Sequence, residues 1–347
     1  MKSLFNVDEW SIVQSKFEPE KQLAAESIFS IGNGTFGQRA NFEEHYSGVS
    51  LQGSYIGGIY YPDKTKVGWW KNGYPEYFAK VLNSCNWIGI DITIGGQKLD
   101  LNKCTVKSFH RELNMYTGIL HRKFKCALSD GKEIEVKTKR FCSMSNEHFA
   151  AIEYNIIPLN FTDSITVNPY LDFNVKNQDS NYDEKFWKPY EQEVTSKNSF
   201  ISAVTKKTNF LIYVGMNSEV VCNNEIFDHN ELIQDDMYIS HNYSFLAKQG
   251  NEYSIKKYIS IASNLSIKDK EVKKYMYNNL DLLTNLGFDK AEKKHSNAWK
   301  EIWDHSDVKI IGDIESQQAI RFNIFQLFQS YNGSNPKLNI GPKGFTG

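Results

Sequence analysis

The apolar residues of this sequence follow two different periods, and the change between them falls near residue 265. Before that point, short runs alternate between apolar and polar residues, as from Ile90 to Ile94, which is the period of a half-buried strand. After it, apolar residues recur at spacings of three and four, the period of an amphipathic helix. The 347 residues therefore predict a fold that is mostly β with C-terminal helices.

Turn signals divide the first part into many short strands. Gly95-Gly96 and Asp130-Gly131 each separate two alternating runs, and such dipeptides predict β-hairpins. Further strands are predicted at 149–157, 164–171, 200–205, 209–216 and 252–262. Many short strands with turns between them indicate a sandwich or a barrel rather than strand–helix–strand units.

Three helices are predicted in the second part, over 268–286, 289–304 and 313–331. Gly287 directly follows the first and is a typical residue after a helix C-terminus. The third helix carries a wide apolar stripe that needs partners to cover it. The stripe consists of Ile320, Ile324, Leu327, Phe328 and Tyr331, with Phe325 extending it. Because a loop with three glycines and a proline follows, we interpret the sequence as ending inside a domain.

Composition excludes several functions. Forty Lys and Arg residues face 41 Asp and Glu, a net charge of −1, without the basic excess of a nucleic-acid-binding domain. No apolar run is long enough to span a membrane, and the first ten residues lack a signal peptide's apolar core, so we expect a cytoplasmic protein. The cysteines contain no metal- or disulfide-type spacing and predict reduced, mostly buried thiols. They are Cys85, Cys104, Cys126, Cys142 and Cys222.

The segment 32–37, Gly-Asn-Gly-Thr-Phe-Gly, fits the pattern G-x-G-x-x-G of dinucleotide-binding loops. That interpretation requires a following apolar helix in a strand–helix–strand unit, and residues 39–44 do not provide one. We therefore prefer a turn in which the glycines adopt positive φ angles. The eight histidines show no metal-binding spacing, and no metal site is expected.

Two further segments leave alternatives open. Residues 60–74 are rich in aromatic residues and glycine, which suits either sugar binding or a loop that packs on its own rings or at a subunit interface. Residues 179–187 hold three carboxylates but depart from the calcium-loop pattern, and a solvated loop is preferred.

Several longer segments, taken in their order along the chain, resemble glycoside hydrolase family 65. The likeness is greatest to its maltose phosphorylase branch, with trehalose and kojibiose phosphorylases as relatives. The resemblance spans essentially the whole chain. The segments that carry it are 26–34, 37–44, 51–53, 57–64, 68–78, 179–187, 317–327 and 338–347. It implies a large antiparallel β-super-sandwich over 1–265, a helical linker over 266–312, and the first helix and loop of an (α/α)6 catalytic barrel over 313–347.

The activity implied by the resemblance is that of a glycoside phosphorylase, a glycosyltransferase acting on α-glucosides. Such an enzyme cleaves an α-glucoside such as maltose with inversion, giving β-glucose 1-phosphate and glucose. Inorganic phosphate is the co-substrate, with no metal or organic cofactor. The Trp-Asp pair that binds sugar, the acidic Glu and the phosphate-binding residues of the family all follow the last residue of this chain. We therefore assign no catalytic residue and expect the chain alone to be inactive.

Some residues are nevertheless expected to lie near the substrate. They are Lys343, Phe345, Trp69, Trp70 and Tyr74. The disaccharide and phosphate are expected to bind through the barrel, the full-length protein to be a homodimer, and neither nucleic acid nor membrane to be a partner. Two alternatives remain: a free-standing carbohydrate-binding or structural β-sandwich, and part of an α-glucoside hydrolase of the same family.

Overall fold

A computed structural model of the chain describes residues 5–65, 73–178 and 184–338, together with Gly341, Gly344 and Phe345. The strands before residue 143 are β1 (Ser11–Gln14), β2 (Ile31–Gly32), β3 (Phe36–Gln38), β4 (Ser54–Lys64), β5 (Tyr77–Asn83), β6 (Ile90–Ile94), β7 (Gln97–Lys98), β8 (Thr105–Asn114), β9 (Ile119–Ala127) and β10 (Glu133–Cys142). The later strands are β11 (Phe149–Pro158), β12 (Asp163–Asp172), β13 (Trp187–Glu193), β14 (Ser199–Thr205), β15 (Leu211–Cys222), β16 (Glu225–Phe227), β17 (Glu231–Asp235), β18 (Tyr238–Ala247) and β19 (Tyr253–Ser263). The helices are α1 (Gln22–Ile28), α2 (Asp269–Leu286), α3 (Phe288–Ser306) and α4 (Ile314–Ser330).

The strands form three antiparallel sheets. The largest has ten strands, in the order β1-β8-β9-β10-β11-β19-β15-β14-β13, with β16 pairing to β15. A five-stranded sheet has the order β17-β18-β12-β6-β7, and a four-stranded sheet the order β2-β3-β4-β5. The predicted fold class, a large antiparallel β-super-sandwich followed by helices, is confirmed. None of the helices in the described ranges is long and apolar enough to cross a membrane.

The main hydrophobic core lies between the ten-stranded sheet and the two smaller sheets. Alternation along β11 shows both faces of the large sheet in use: Ile152 belongs to this core, whereas Ala151 belongs to a smaller cluster under α2 and α3. The approach of α2 is close, because a Cβ atom added to Gly215 on β15 would lie 2.1 Å from the sulfur of Met276. Helix α2 is therefore packed closely on the large sheet, and the beginning of α3 joins the same apolar cluster.

The predicted hairpins and helices are present. Gly95, Gly96 and Gly131 adopt positive φ angles at the two predicted turns. Gly287 ends α2 with a φ of 77° and a hydrogen bond from its N–H to the carbonyl of Leu283. Each predicted helix agrees with the observed one within two residues at either end.

The end of β15 was not predicted. The strand continues to Cys222, six residues beyond the predicted 209–216, through the polar sequence Asn217-Ser218-Glu219. These residues pair with β19, where Ser218 lies opposite Lys257. The hydroxyl of Ser218 is buried beside the ring of His241, with an Oγ–Nδ1 distance of 2.7 Å. A polar strand whose partners lie on a distant strand has no apolar alternation to reveal it.

The stripe predicted on the third helix is only partly covered. The four fully buried positions of α4 follow a helical spacing of four, and only one of them is apolar: Gln317, Arg321, Phe325 and Gln329. Leu327, a member of the predicted stripe, is 65% exposed. The other members of the stripe are half-buried. The helix therefore rests on the sandwich through both polar side chains and apolar ones such as Phe325, and it leaves Leu327 at the surface.

Candidate functional site

The glycine-rich segment 32–37 is a tight hairpin of β2 and β3, and residues 31–38 are called the docking hairpin below. The side-chain oxygen of Asn33 accepts hydrogen bonds from the N–H groups of Thr35 and Phe36, at 3.1 and 3.0 Å, and so closes the turn. Gly34 has a φ of 83°, as predicted for a turn glycine. The same expectation is wrong for Gly32 and Gly37, which have no positive φ angle because both lie within strands.

Close contact with the C-terminal residues explains why these two positions are glycine. A Cβ atom on Gly32 would lie 2.8 Å from the carbonyl oxygen of Gln329, and one on Gly37 would lie 2.3 Å from the Cβ atom of Phe345. The N–H of Gly34 donates to the same Gln329 carbonyl at 2.7 Å. The docking hairpin is thus occupied by the end of α4 and the residues after it, in the place where a dinucleotide loop would hold a phosphate.

Two side-chain contacts extend the attachment beyond α4. The side-chain N–H of Asn332 donates to the carbonyl of Asn33 at 2.9 Å. Glu147, in the loop between β10 and β11, accepts from the hydroxyls of Thr35 and Ser334 at 3.1 and 3.0 Å. A single carboxylate therefore joins the docking hairpin, the large sheet and the C-terminal segment.

The charge of Glu147 is favoured by its surroundings. The imidazole of His148, whose Nε2 lies 3.5 Å from Glu147 Oε1, makes the largest contribution, and the hydroxyls of Ser334 and Thr35 add to it. Together they outweigh partial burial and lower the pKa of Glu147 to about 2. The carboxylate is therefore ionised throughout the neutral range, with its oxygens acting as hydrogen-bond acceptors.

The residues after the docking hairpin are held by ion pairs inside the sandwich. The guanidinium of Arg122 on β9 donates to Glu43 at 2.6 Å and also to both oxygens of Glu44, and Arg140 on β10 donates to Glu43 at 2.8 Å. All four side chains are buried. Burial alone would raise the pKa of Glu43, but the charges of Arg140 and Arg122 lower it below its usual value. These contacts fix residues 39–44, and with them the end of β3.

Three of the five residues expected near the substrate, Lys343, Trp69 and Trp70, lie outside the described residues. Phe345 is buried on the docking hairpin. Tyr74 is 49% exposed, and its ring contacts that of Phe78 edge to face at 5.9 Å. The structure therefore separates the two that it describes, because Phe345 is a packing residue of the junction and Tyr74 is a surface aromatic.

The aromatic segment 60–74 and the acidic segment 179–187 contact each other through their described residues. Residues 60–64 belong to β4 rather than to a loop, and the buried ring of Tyr61 lies 4.5 Å from that of Phe186. The hydroxyl of Tyr61 donates to Glu184 at 2.9 Å. Residues 179–183 of the acidic segment lie outside the described residues, but its end, from 184 to 187, packs on the sandwich instead of standing in solvent. The aromatic segment thus packs on rings, in its described part.

The other polar clusters in the described part of the chain give no reaction centre. All five cysteines are unpaired thiols, and four of them are buried, as predicted. In the described ranges, no three His, Cys, Asp or Glu side chains are grouped to hold a metal ion. Ser199 and Ser218 flank His241, but burial lowers the pKa of this imidazole to about 4. The same burial makes the imidazole inaccessible to a substrate. The sequence did not predict the role of Glu147 in joining the docking hairpin and the C-terminal segment, because this residue belongs to no recognisable motif.

Comparison with known proteins agrees with this architecture. The sequence model of glycosyl hydrolase family 65, N-terminal domain, matches residues 12–302. Maltose phosphorylase from Bacillus subtilis (strain 168) is 40% identical over 99% of this chain, and α,α-trehalose phosphorylase from Thermoanaerobacter brockii is 31% identical over 100% of it. A solved structure described as a putative kojibiose phosphorylase from human microbiome superposes with a TM-score of 0.89 at 26% identity, over 100% of this chain.

The aligned regions make up only part of these relatives. The chain spans 45% of the maltose phosphorylase, 46% of the trehalose phosphorylase and 45% of the solved chain. The matched domain contains both the docking hairpin and Glu147, whereas α4 and the segment seated on the hairpin follow it. On the extent of the domain match and the identity to the maltose phosphorylase, the chain belongs to glycosyl hydrolase family 65.

Proposed function

We propose that this chain serves as the N-terminal part of a disaccharide phosphorylase that cleaves an α-glucoside such as maltose with inorganic phosphate. The products would be β-glucose 1-phosphate and glucose, with inversion at the anomeric carbon. Inverting cleavage needs an acid on one face of the sugar and a nucleophile on the other, and phosphate would supply the nucleophile. In this proposal the acid and the phosphate-binding groups are not residues of this chain.

The observation that carries the proposal is the seating of the C-terminal segment on the docking hairpin. Two glycines of the sandwich have no side chain where Gln329 and Phe345 approach, and Glu147 holds Ser334. Such contacts fix the direction in which the chain leaves α4. In the proposed function, the sandwich positions the beginning of a catalytic domain and does not itself touch the reacting bond.

The 40% identity with a protein named maltose phosphorylase supports maltose as the first substrate to test. The first experiment is an assay of the 347-residue chain with maltose and phosphate. We expect no release of β-glucose 1-phosphate. Enzyme-dependent release by the chain alone would contradict the assignment of catalysis to residues outside it.

The second experiment is a chimera in which this chain replaces the aligned part of the Bacillus subtilis maltose phosphorylase. We expect the chimera to release β-glucose 1-phosphate from maltose and phosphate. Gly37→Val should reduce this activity, because its side chain would displace Phe345. Gly131→Asn is the matched control, since Gly131 lies in a turn with nothing within 4 Å and Asn tolerates a positive φ. A folded chimera that is inactive on maltose, trehalose and kojibiose would refute the proposal.

A further inference from the structure

A pocket of about 260 Å³ lies where the sandwich, α2 and the C-terminal segment meet. Its polar lining comes from all three parts and consists of Thr35, Glu147, His148, Ser263, Ser266, Tyr275 and Asn335. Apolar side chains, among them Ile56, Ile267 and Leu338, complete its walls. We propose that this pocket binds a neutral polyhydroxylated molecule of monosaccharide size.

The size of the pocket limits its occupant. Pockets for drug-sized ligands have volumes of about 300–1,000 Å³, and this one lies just below that range. A single sugar ring or a small polyol fits such a volume, whereas a disaccharide would extend into solvent. The site is therefore a monosaccharide site rather than a groove for a glycan chain.

The pocket offers hydrogen-bonding groups of both kinds. The carboxylate of Glu147 already accepts from Thr35 and Ser334 through Oε2, and its Oε1, which faces His148 at 3.5 Å, has a lone pair left for a ligand hydroxyl. Within the described ranges, the side-chain hydroxyls of Tyr275 and Ser263 make no hydrogen bond, so both can donate to a ligand or accept from it. A molecule with several adjacent hydroxyls satisfies these groups together.

The aromatic ring in the lining is held in place. The ring of Tyr275 meets that of His148 edge to face, with centroids 4.9 Å apart, and His148 is fixed by a contact of 2.9 Å between its Nδ1 and the carbonyl of Ile261. A tyrosine ring offers an apolar surface with a polar end. The C–H faces and hydroxyl rims of a sugar match that combination.

Charge argues against the other small ligands. The lining contains one carboxylate and neither lysine nor arginine, and its imidazole, that of His148, already faces this carboxylate. A phosphate or sugar phosphate would therefore meet the ionised Glu147 with no further cation to offset it. The neighbouring Lys337 is turned to the carbonyl of Leu265, to which its ammonium donates at 3.1 Å. An organic ammonium ion would be attracted by Glu147 but would leave the hydroxyls of Tyr275 and Ser263 without partners.

This site goes beyond the proposed function and does not depend on it. Because its walls come from three parts of the chain, an occupant would tie them together and stabilise the folded state over the unfolded one. The expected observation is therefore saturable binding together with a rise in the unfolding temperature.

The test uses the 347-residue chain and glucose, with saturation-transfer NMR for binding and thermal unfolding for stability. We expect saturable binding and a midpoint that rises with glucose concentration. Tyr275→Ala and Ser263→Ala should each weaken binding about tenfold, the loss of one hydrogen-bonding group or aromatic contact. Tyr190→Ala, which removes an exposed tyrosine on β13, is the matched control and should bind as the parent does.

The following outcomes would overturn the inference: no saturable binding of glucose, binding that is unchanged in both pocket variants, or binding of tetramethylammonium or phosphate in place of glucose. Failure of the phosphorylase chimera is a separate result. A chimera that is inactive while glucose still binds here would refute the proposed function alone.

Discussion

The side chain of Phe345 packs directly on the backbone of Gly37, at a place where a Cβ atom on the glycine would lie 2.3 Å from the Phe345 Cβ atom. Real side-chain atoms do not approach so closely, and therefore only glycine permits this contact. The two residues are more than 300 positions apart in sequence. Their contact joins the beginning of the sandwich to the end of the described chain.

We expect Gly37→Ala to destabilise the protein by about 1–3 kcal/mol, the usual cost of overpacking, since Phe345 must move away. Urea unfolding followed by tryptophan fluorescence measures the change. The control is Gly341→Ala, where an added Cβ atom would meet its nearest neighbour at 3.5 Å, an ordinary contact distance. Equal midpoints for the two variants would contradict the docking role of Gly37.

The ion pairs of Arg122 lead to a second prediction. Replacement by Met removes the partner of Glu43 and Glu44 while keeping most of the side-chain volume. We expect a loss of about 3–5 kcal/mol, because two carboxylates are then buried with less compensation. Lys300→Met breaks the exposed pair with Asp304 and should leave the urea midpoint unchanged. A mild effect at Arg122 would mean that water or Arg140 compensates the carboxylates.

What the sequence predicted well was local. The alternation around Ile92 and the glycine at Gly287 report their strand and helix directly, because strand and helix periods depend on near neighbours in the chain. What it missed depends on distant contacts. Gly32 resembles a turn residue in the sequence, but it is glycine because the carbonyl oxygen of Gln329 packs against it. Glu147 belongs to no motif because its partners come from two other parts of the chain.

The buried charges illustrate the same limit. Residues 39–44 contain Arg39, Glu43 and Glu44, and nothing in their sequence predicted that they are buried. They are buried because Arg122 and Arg140, from two adjacent strands, converge on Glu43. The alternation of β9 and β10 predicts that those strands exist, but not that two inward-facing positions carry arginine to meet these carboxylates.

Stability should fall as the pH drops from about 6.5 to about 4, since burial lowers the pKa of both His241 and His295 to about 4. The unfolded chain takes up these protons first, so the stabilisation is complete above the unfolded pKa and is lost on acidification. Each proton contributes a slope of up to about 1.4 kcal/mol per pH unit. Urea titrations from pH 7 to 4 measure how the free energy of unfolding depends on pH. His241→Asn should remove the contribution of one histidine to that dependence. A flat profile in the parent would contradict both assignments.

Cys104 should react with iodoacetamide before the other cysteines at pH 7.5. A hydrogen bond from the thiol of Cys126 stabilises its thiolate and lowers the pKa of Cys104 to about 7, whereas burial raises that of Cys85 and Cys142. Cys104 is also only partly buried, while the other four are buried. Peptide mapping after brief alkylation identifies the first site. In Cys126→Ser the preference should weaken, and unchanged labelling there would show that exposure alone determines it.

Surface apolar residues around α4 should cause self-association of the 347-residue chain. Leu327 is 65% exposed and Ile311 is 98% exposed, although apolar side chains of this size are stabilised by burial. The double variant Leu327→Lys, Ile311→Lys should therefore remain monomeric at concentrations where the parent associates, as sedimentation velocity would show. Its thermal midpoint should equal that of the parent, because neither side chain is buried.

Phe325→Ala changes a buried side chain of the same helix and serves as the comparison for the double lysine variant. Its ring is buried and stacks on Trp299 at 4.5 Å, so we expect a loss of about 3–5 kcal/mol. If the lysine variant associated as strongly as the parent, another surface would have to be responsible. If it also unfolded at a lower temperature, Leu327 and Ile311 would contribute to the fold despite their exposure. The two variants thus separate the face of α4 that supports the sandwich from the face that is open to a further partner.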